Sequence, residues 1–266
     1  MITDKAKKDH QKLPYSKILG VRVNLISLKK AVSQVEKWLK TDKQYQIVTP
    51  NPEQVVLAQK DLSFKKVLNQ ANLAIPDGIG LVWAVKAQAS NFSTKVERVS
   101  GVDLMTALCR LARRFGGRIF LLGGRDAAEK VAKKLKTKFP NLEITSHSGA
   151  KNIEQESLRE RQEIVKKINN FEPHLLFVAY GAPHQEVWIA ANLPLLKVKV
   201  AMGVGGAFDY ISGKVPRAPE FIRNIGLEWF FRLLSQPRRI KRHLTLVKFI
   251  RLVMVKNQVK KGKIVV

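Results

Sequence analysis

The sequence predicts an α/β fold, a mostly parallel sheet with helices on both faces. Three observations carry this. Short apolar runs alternate along the chain with segments patterned as helices. The runs are continuously apolar, as strands buried on both faces are, instead of alternating with polar residues. A length of 266 residues with 45% hydrophobic content is also enough to bury a full core.

The elements follow in order. ILGVRVNLI reads as a strand or hairpin arm. Ser27 then opens the helix SLKKAVSQVEKWLK, with Val32, Val35 and Leu39 at helical spacing. YQIVT is a strand, and the helix after it starts at Pro52. NLAIP is a strand before DGIGLVWAVKA, and Ser100 and Asp103 bracket the start of GVDLMTALCRLARRF. RIFLLGG leads to a helix from Asp126, LEITSHSG to a long polar helix from Ile153, HLLFVAYG to a helix from Pro183, and VKVAMGVGGAFDY closes the series. From Gly213 onward the strand signal stops. Fourteen Lys and Arg stand there against Glu220 and Glu228, a net charge of +12, in two or three basic amphipathic helices broken near Pro237. The expected organisation is a polar leader (1–17), a core (18–212, in subregions 18–115 and 116–212) and a basic helical appendage (213–266).

The whole chain carries 48 Lys and Arg against 21 Asp and Glu, a formal +27. That excess asks for a polyanionic partner: nucleic acid, anionic lipid or a phosphorylated substrate. The single cysteine, Cys109, lies in an apolar helical pattern, so disulfide and cysteine–zinc chemistry are excluded. His10, His147, His174, His184 and His243 are scattered without ligand spacing. MITDKAKKDHQK lacks a signal-peptide core and no run of eighteen apolar residues occurs, so a cytoplasmic location is expected.

Ligands of open parallel sheets bind beyond the carboxyl ends of the strands. The polar candidates fall there: Thr49 and Asn51, Asp77 and Gly78, Gly123 and Gly124, Gly181, Gln185 and Glu186, and Gly205, Gly206 and Asp209. GVGGAF and LLGGRDAA do not fit Gly-x-Gly-x-x-Gly, there is no P-loop and no Asp-x-Asp pair. Dinucleotide enzymes, P-loop ATPases and metal-dependent transferases built on such a pair are thereby disfavoured. Each candidate has a plain structural reading beside the functional one. Asn51 can cap a helix with Pro52 at its first position and Gln54 at its third. Asp77 can cap GIGLVWA or act as a general base. Arg98, in VERVSGVDL, can be a solvated charge or a phosphate ligand.

Six motifs, TPNPEQVVLA, IPDGIGLVWA, ERVSGVDL, FLLGG, VAYGAPHQEVWI and GVGGAFDYISGKVPRAP, in this order and spacing resemble the WecG/TagA/CpsF family of bacterial glycosyltransferases. The resemblance runs from about Ile18 to Arg242. It implies a Rossmann-like fold and inverting, metal-independent transfer, without a cofactor, of an N-acetylhexosamine from a UDP-sugar. In the best-known members this sugar is N-acetylmannosamine; others use its uronic acid or glucose. The implied acceptor is a polyprenyl-diphosphate-linked N-acetylglucosamine of teichoic acid or surface polysaccharide assembly.

The resemblance further implies a peripheral position on the inner face of the cell membrane, reached through the basic appendage. It makes Asp77 the base. Thr49 and Asn51 become sugar or acceptor ligands, Arg98 and Gln185 lie near donor and acceptor, and Arg217 and Arg223 offset charge on the UDP leaving group. Gly181, Glu186, Gly205 and Asp209 complete the expected substrate-binding set, with an anionic membrane surface as partner. A homo-oligomer is compatible with the sequence, and no specific nucleic acid is expected. The rival readings are a basic nucleic-acid-binding α/β protein, favoured by charge but lacking a recognition motif, and a nucleotide-dependent oxidoreductase.

Overall fold

The computed structural model describes residues 13–88, 97–224, 227–236 and 240–260. Most of the expected leader, Ile225, Arg238, Arg239 and residues 261–266 lie outside them. In chain order the elements are β1 (Tyr15–Ile18), β2 (Val21–Asn24), α1 (Leu28–Leu39), β3 (Tyr45–Val48), α2 (Pro52–Leu57), α3 (Leu62–Gln70), β4 (Leu73–Ala74), α4 (Ile79–Gln88) and α5 (Gly101–Arg113). There follow β5 (Arg118–Gly123), α6 (Ala127–Lys138), β6 (Glu143–His147), α7 (Leu158–Phe171), β7 (Leu175–Ala179), α8 (His184–Asn192), β8 (Val200–Gly203) and α9 (Ala207–Ser212). The basic tail forms α10 (Glu220–Asn224), α11 (Glu228–Ser235) and α12 (Ile240–Lys260).

The chain divides into two compact units, each assembled from separated stretches: Met1–Ser27, Thr49–Ser100 and Arg217–Val266 in the first, Leu28–Val48 and Gly101–Pro216 in the second. In the second, five strands run parallel in the order β3-β8-β7-β5-β6. Phe120, Leu122, Leu176, Val178 and Ala201 point to one face and pack with Ile164 and Ile168 of α7 and Trp188 and Ile189 of α8. Their neighbours Ile119, Leu121, Leu175, Phe177 and Met202 point the other way and are equally buried. A strand whose alternate side chains are all buried is covered on both faces, which is why its sequence is apolar without a break.

In the first unit, β1 and β2 form an antiparallel hairpin turning at Leu19 and Gly20, both at positive φ. Asn24 at the end of β2 is fully buried and accepts the Ala74 N–H of β4 at 2.9 Å. The long helix α12 packs against α2 and α4. Phe249 and Val253 on it are fully buried, and the Leu246 methyl stands 2.9 Å from where a Cβ on Gly80 would be. One face of the expected appendage is thus core.

Two local expectations change. The helix expected from Ile153 starts at Leu158. Ser157 caps it through a capping box with Glu160, and Ile153–Gln155 form a separate single turn. The helix α3 was not anticipated. Asp61 caps it by accepting the Phe64 N–H at 2.9 Å, and Phe64 and Leu68 anchor it, fully buried.

Candidate functional site

In the first unit, three motifs far apart in sequence are joined by their backbones. Asn51 opens α2 with a complete capping box: its Oδ1 accepts the Gln54 N–H at 2.9 Å, and Gln54 Oε1 accepts the Asn51 N–H at 3.2 Å. The preceding carbonyl, of Pro50, accepts the Asp77 N–H at 2.9 Å. The carbonyl of Pro76 in turn accepts the Val99 N–H at 3.4 Å. Thr49 to Asn51, Asp77, and Arg98 to Ser100 therefore lie side by side. Thr49 is buried and Asp77 is half-buried at the turn after β4, followed by Gly78 at φ +92°. Asp77 thus keeps part of its surface exposed at a strand end, the kind of place a general base can occupy.

The tail adds charge to this cluster. Arg98 forms an ion pair with Glu228 at the start of α11, and Arg217 Nε stands 3.6 Å from the second oxygen of the same carboxylate. Arg217 Nη2 also lies 3.3 Å from Ser100 Oγ, while Arg223 Nε donates to the Ala218 carbonyl at 3.1 Å. The three side chains that meet are mostly buried, at 18%, 25% and 14% exposure for Arg98, Arg217 and Glu228. Glu228 is the participant that the sequence reading missed. Its one signal was an acidic residue inside a strongly basic tail.

The second unit presents two glycine turns, after β7 and after β8. Gly181 at φ +79° and Gly205 at φ +47° make these turns in a conformation that side chains oppose. Gln185 and Glu186, expected to bind substrate, both hold their side chains inside: Gln185 is 3% exposed and Glu186 is fully buried. Gln185 Oε1 accepts the N–H groups of Gly181 (3.1 Å) and Gly205 (2.9 Å), and its Nε2 donates to Glu186 Oε1 at 2.8 Å. Asp209, half-buried in the first turn of α9, accepts the Val215 N–H on its backbone carbonyl at 3.1 Å.

Beside these turns the Tyr180 ring closes on Gly123 and Gly149, where an added Cβ would come within 2.9 Å and 2.4 Å of it. Burial pushes the Tyr180 hydroxyl pKa well up, so it stays protonated. Burial likewise raises the Cys109 thiol to about 12, which leaves it an inert core residue. Among the described residues, no group of three His, Cys, Asp or Glu side chains is arranged to hold a metal ion.

The first unit carries backbone-linked Asn, Asp and Arg motifs, and the second carries glycine turns at the carboxyl ends of parallel strands, where α/β proteins bind their ligands. The chain belongs to the glycosyl transferase WecG/TagA/CpsF family, whose description matches residues 16–263. Among its relatives is an N-acetylglucosaminyldiphosphoundecaprenol N-acetyl-beta-D-mannosaminyltransferase of Bacillus subtilis (strain 168), 35% identical over 216 residues, 81% of each chain. Proteins of the same name from Bacillus spizizenii and Staphylococcus aureus (strain MRSA252) are 34% and 32% identical, over 78% of each chain for the first and 82% of this chain and 83% of the relative for the second. The chain is thus a glycosyltransferase, and the nucleic-acid-binding and oxidoreductase readings are set aside.

Proposed function

We propose that this chain transfers N-acetylmannosamine from a UDP donor to N-acetylglucosamine carried on a polyprenyl diphosphate, with inversion, in the assembly of teichoic acid or a related surface polymer. The observation that carries the reading is the half-buried Asp77, whose backbone N–H donates to the Pro50 carbonyl in the loop that ends in Asn51. The names of three relatives supply the acceptor and the sugar.

In the reaction the acceptor hydroxyl oxygen attacks the anomeric carbon as the bond from that carbon to the UDP oxygen breaks. The bonding pair leaves on the β-phosphate, and the hydroxyl proton passes to Asp77. A single displacement inverts the anomeric centre. Thr49 and Asn51 orient the sugar hydroxyls beside the base, and Asp209 with the Gly181 and Gly205 turns forms substrate contacts in the second unit. Arg98, Arg217 and Arg223 offset the diphosphate charge, the part a metal plays in other transferases. Glu228 already draws two of these guanidiniums together, and a diphosphate offers them more negative charge than one carboxylate does.

The same reading places the protein at an anionic membrane surface. No helix of the described residues is long and apolar enough to cross a membrane. Helices α10 and α11 instead leave Phe221, Trp229, Phe230 and Leu234 exposed beside basic residues. Such a surface enters the headgroup boundary while each nearby Lys or Arg contributes about 1 kcal/mol.

The test is transfer from a panel of UDP-sugars to a short-chain lipid-diphosphate-N-acetylglucosamine, with the new anomeric linkage assigned by NMR. A β-linked N-acetylmannosamine product is expected. Transfer of a different hexose alone would overturn the donor assignment, and no transfer from any UDP-sugar would overturn the reaction.

A further inference from the structure

We infer that Gln185 is a positioning residue: its side-chain amide clamps the two glycine turns after β7 and β8 from inside the protein and acts on the reaction through them, without touching substrate. Three observations converge on this.

The first is accounting of hydrogen bonds. A glutamine oxygen has two lone pairs, and here both are used, by the Gly181 N–H at 3.1 Å and the Gly205 N–H at 2.9 Å. The Nε2 group donates to Glu186 Oε1 at 2.8 Å, which fixes which end of the amide faces the turns. The second is burial: at 3% exposure the amide is sealed from solvent, and satisfied buried hydrogen bonds hold geometry firmly because breaking one strands a buried polar group. The third lies across the clamp. Gly203, the last residue of β8, leaves the space the amide fills, since a Cβ there would come within 2.9 Å of Nε2 and 3.0 Å of Cγ. A second strut steadies the helix that carries the clamp, because Gln46 of β3 donates to the Glu186 carbonyl at 2.9 Å.

The consequence is geometric. Gly181 and Gly205 lie 24 residues apart in sequence and adopt left-handed conformations that carry no intrinsic preference for one another's position. One amide sets both, and so fixes where the backbone groups and Asp209 that follow them face. The kinetic part of the inference rests on the transferase reading; the structural part does not.

The experiment measures amide hydrogen exchange of peptides containing residues 181 and 205, together with kcat and KM for the UDP-sugar. Four proteins are compared: wild type, Gln185→Ala, Gly203→Ala, and the exchanged pair Gln185→Glu with Glu186→Gln. Gln185→Ala should lose protection at both turns at once, and kcat should fall by roughly 10²-fold, the cost of a small misplacement of reacting groups. Gly203→Ala should reproduce this pattern without altering residue 185. The exchanged pair keeps an accepting oxygen toward both turns and reverses the donor in the buried pair. It should recover protection and most of kcat.

Unchanged exchange in Gln185→Ala overturns the clamp whatever the activity. Recovered protection without recovered turnover in the exchanged pair means that the amide itself meets substrate, and overturns the positioning role. If Gln185→Ala does not fold, Gly203→Ala and the exchanged pair decide alone. Absence of transfer by wild type counts against the transferase reading and leaves the exchange result standing.

Discussion

Replacing Phe249 with alanine tests whether the basic tail is an appendage or part of the first unit. Phe249 is fully buried in α12, which packs on α2 and α4. Removing a buried aromatic ring costs about 3–5 kcal/mol, the lost transfer energy plus the cavity left behind. On the same helix, the Leu246 methyl stands 2.9 Å from where a Cβ on Gly80 of α4 would be, so the two helices pack closely. At about 2–4 °C per kcal/mol for a chain of this size, melting should fall by roughly 6–20 °C.

The functional consequence follows from what the two covered helices carry. Asn51 caps α2, and Asp77 precedes α4. Loss of their cover should lower transfer at temperatures below the melting point, with little change in binding to anionic vesicles. Calorimetry and the transfer assay are run on the same preparation. A variant that melts within about 2 °C of wild type would refute the packing of α12 and restore the view of the whole tail as a detachable membrane anchor. Deleting everything from Gly213 should, by the same reasoning, destabilise the first unit as well as weaken membrane binding.

Asp77→Asn should keep the wild-type melting point and lower kcat by about 10²-fold or more, as the loss of a general base does; near-normal turnover would remove Asp77 from the mechanism. Transfer should persist in excess EDTA, and a loss restored by Mg²⁺ or Mn²⁺ would contradict the assignment of charge neutralisation to arginines. Trp229→Ser with Phe230→Ser, two exposed rings 5.7 Å apart, should reduce sedimentation with anionic vesicles without changing the melting point; undiminished sedimentation would exclude this face as the membrane contact. His174 accepts the Arg118 N–H on Nδ1 at 3.0 Å, and burial followed by the charges of Arg118 and Lys199 holds its pKa below 6.5. The unfolded chain therefore takes up a proton that the folded chain resists, so the contribution to stability is present above about pH 6.5 and lost as pH falls below it. Melting temperature should drop between pH 7 and 5.5 by more in wild type than in His174→Gln, and equal drops would rule His174 out.

What the sequence determined by itself is what short stretches decide. Val-, Ile- and Leu-rich runs became strands buried on both faces because a side-chain period of two leaves no polar position in them. Asn51 with Gln54 capped α2 because the partners of a capping box are three residues apart and need nothing beyond the turn they close. The order and spacing of six motifs was enough to place the family. Where two local signals competed, the reading slipped: Ile153 looked like a helix start, but Ser157 and Glu160 supply the stronger cap.

Tertiary structure decided what no local signal encodes. The strand order β3-β8-β7-β5-β6 is not the chain order, because strands are placed by the burial of both faces and the pairing of their backbones, which act at any sequence separation. The bonds from Asp77 to Pro50 and from Val99 to Pro76 brought three motifs to one place, and Arg98 met Glu228 across 130 residues. Folding buried the Gln185 amide and made it the internal partner of two glycine turns, a contact that its place in the sequence does not reveal. A glutamine after a strand looks the same in sequence whether its amide faces water or the core; the difference is made by Gly203, eighteen residues away, which leaves the amide a space to fill.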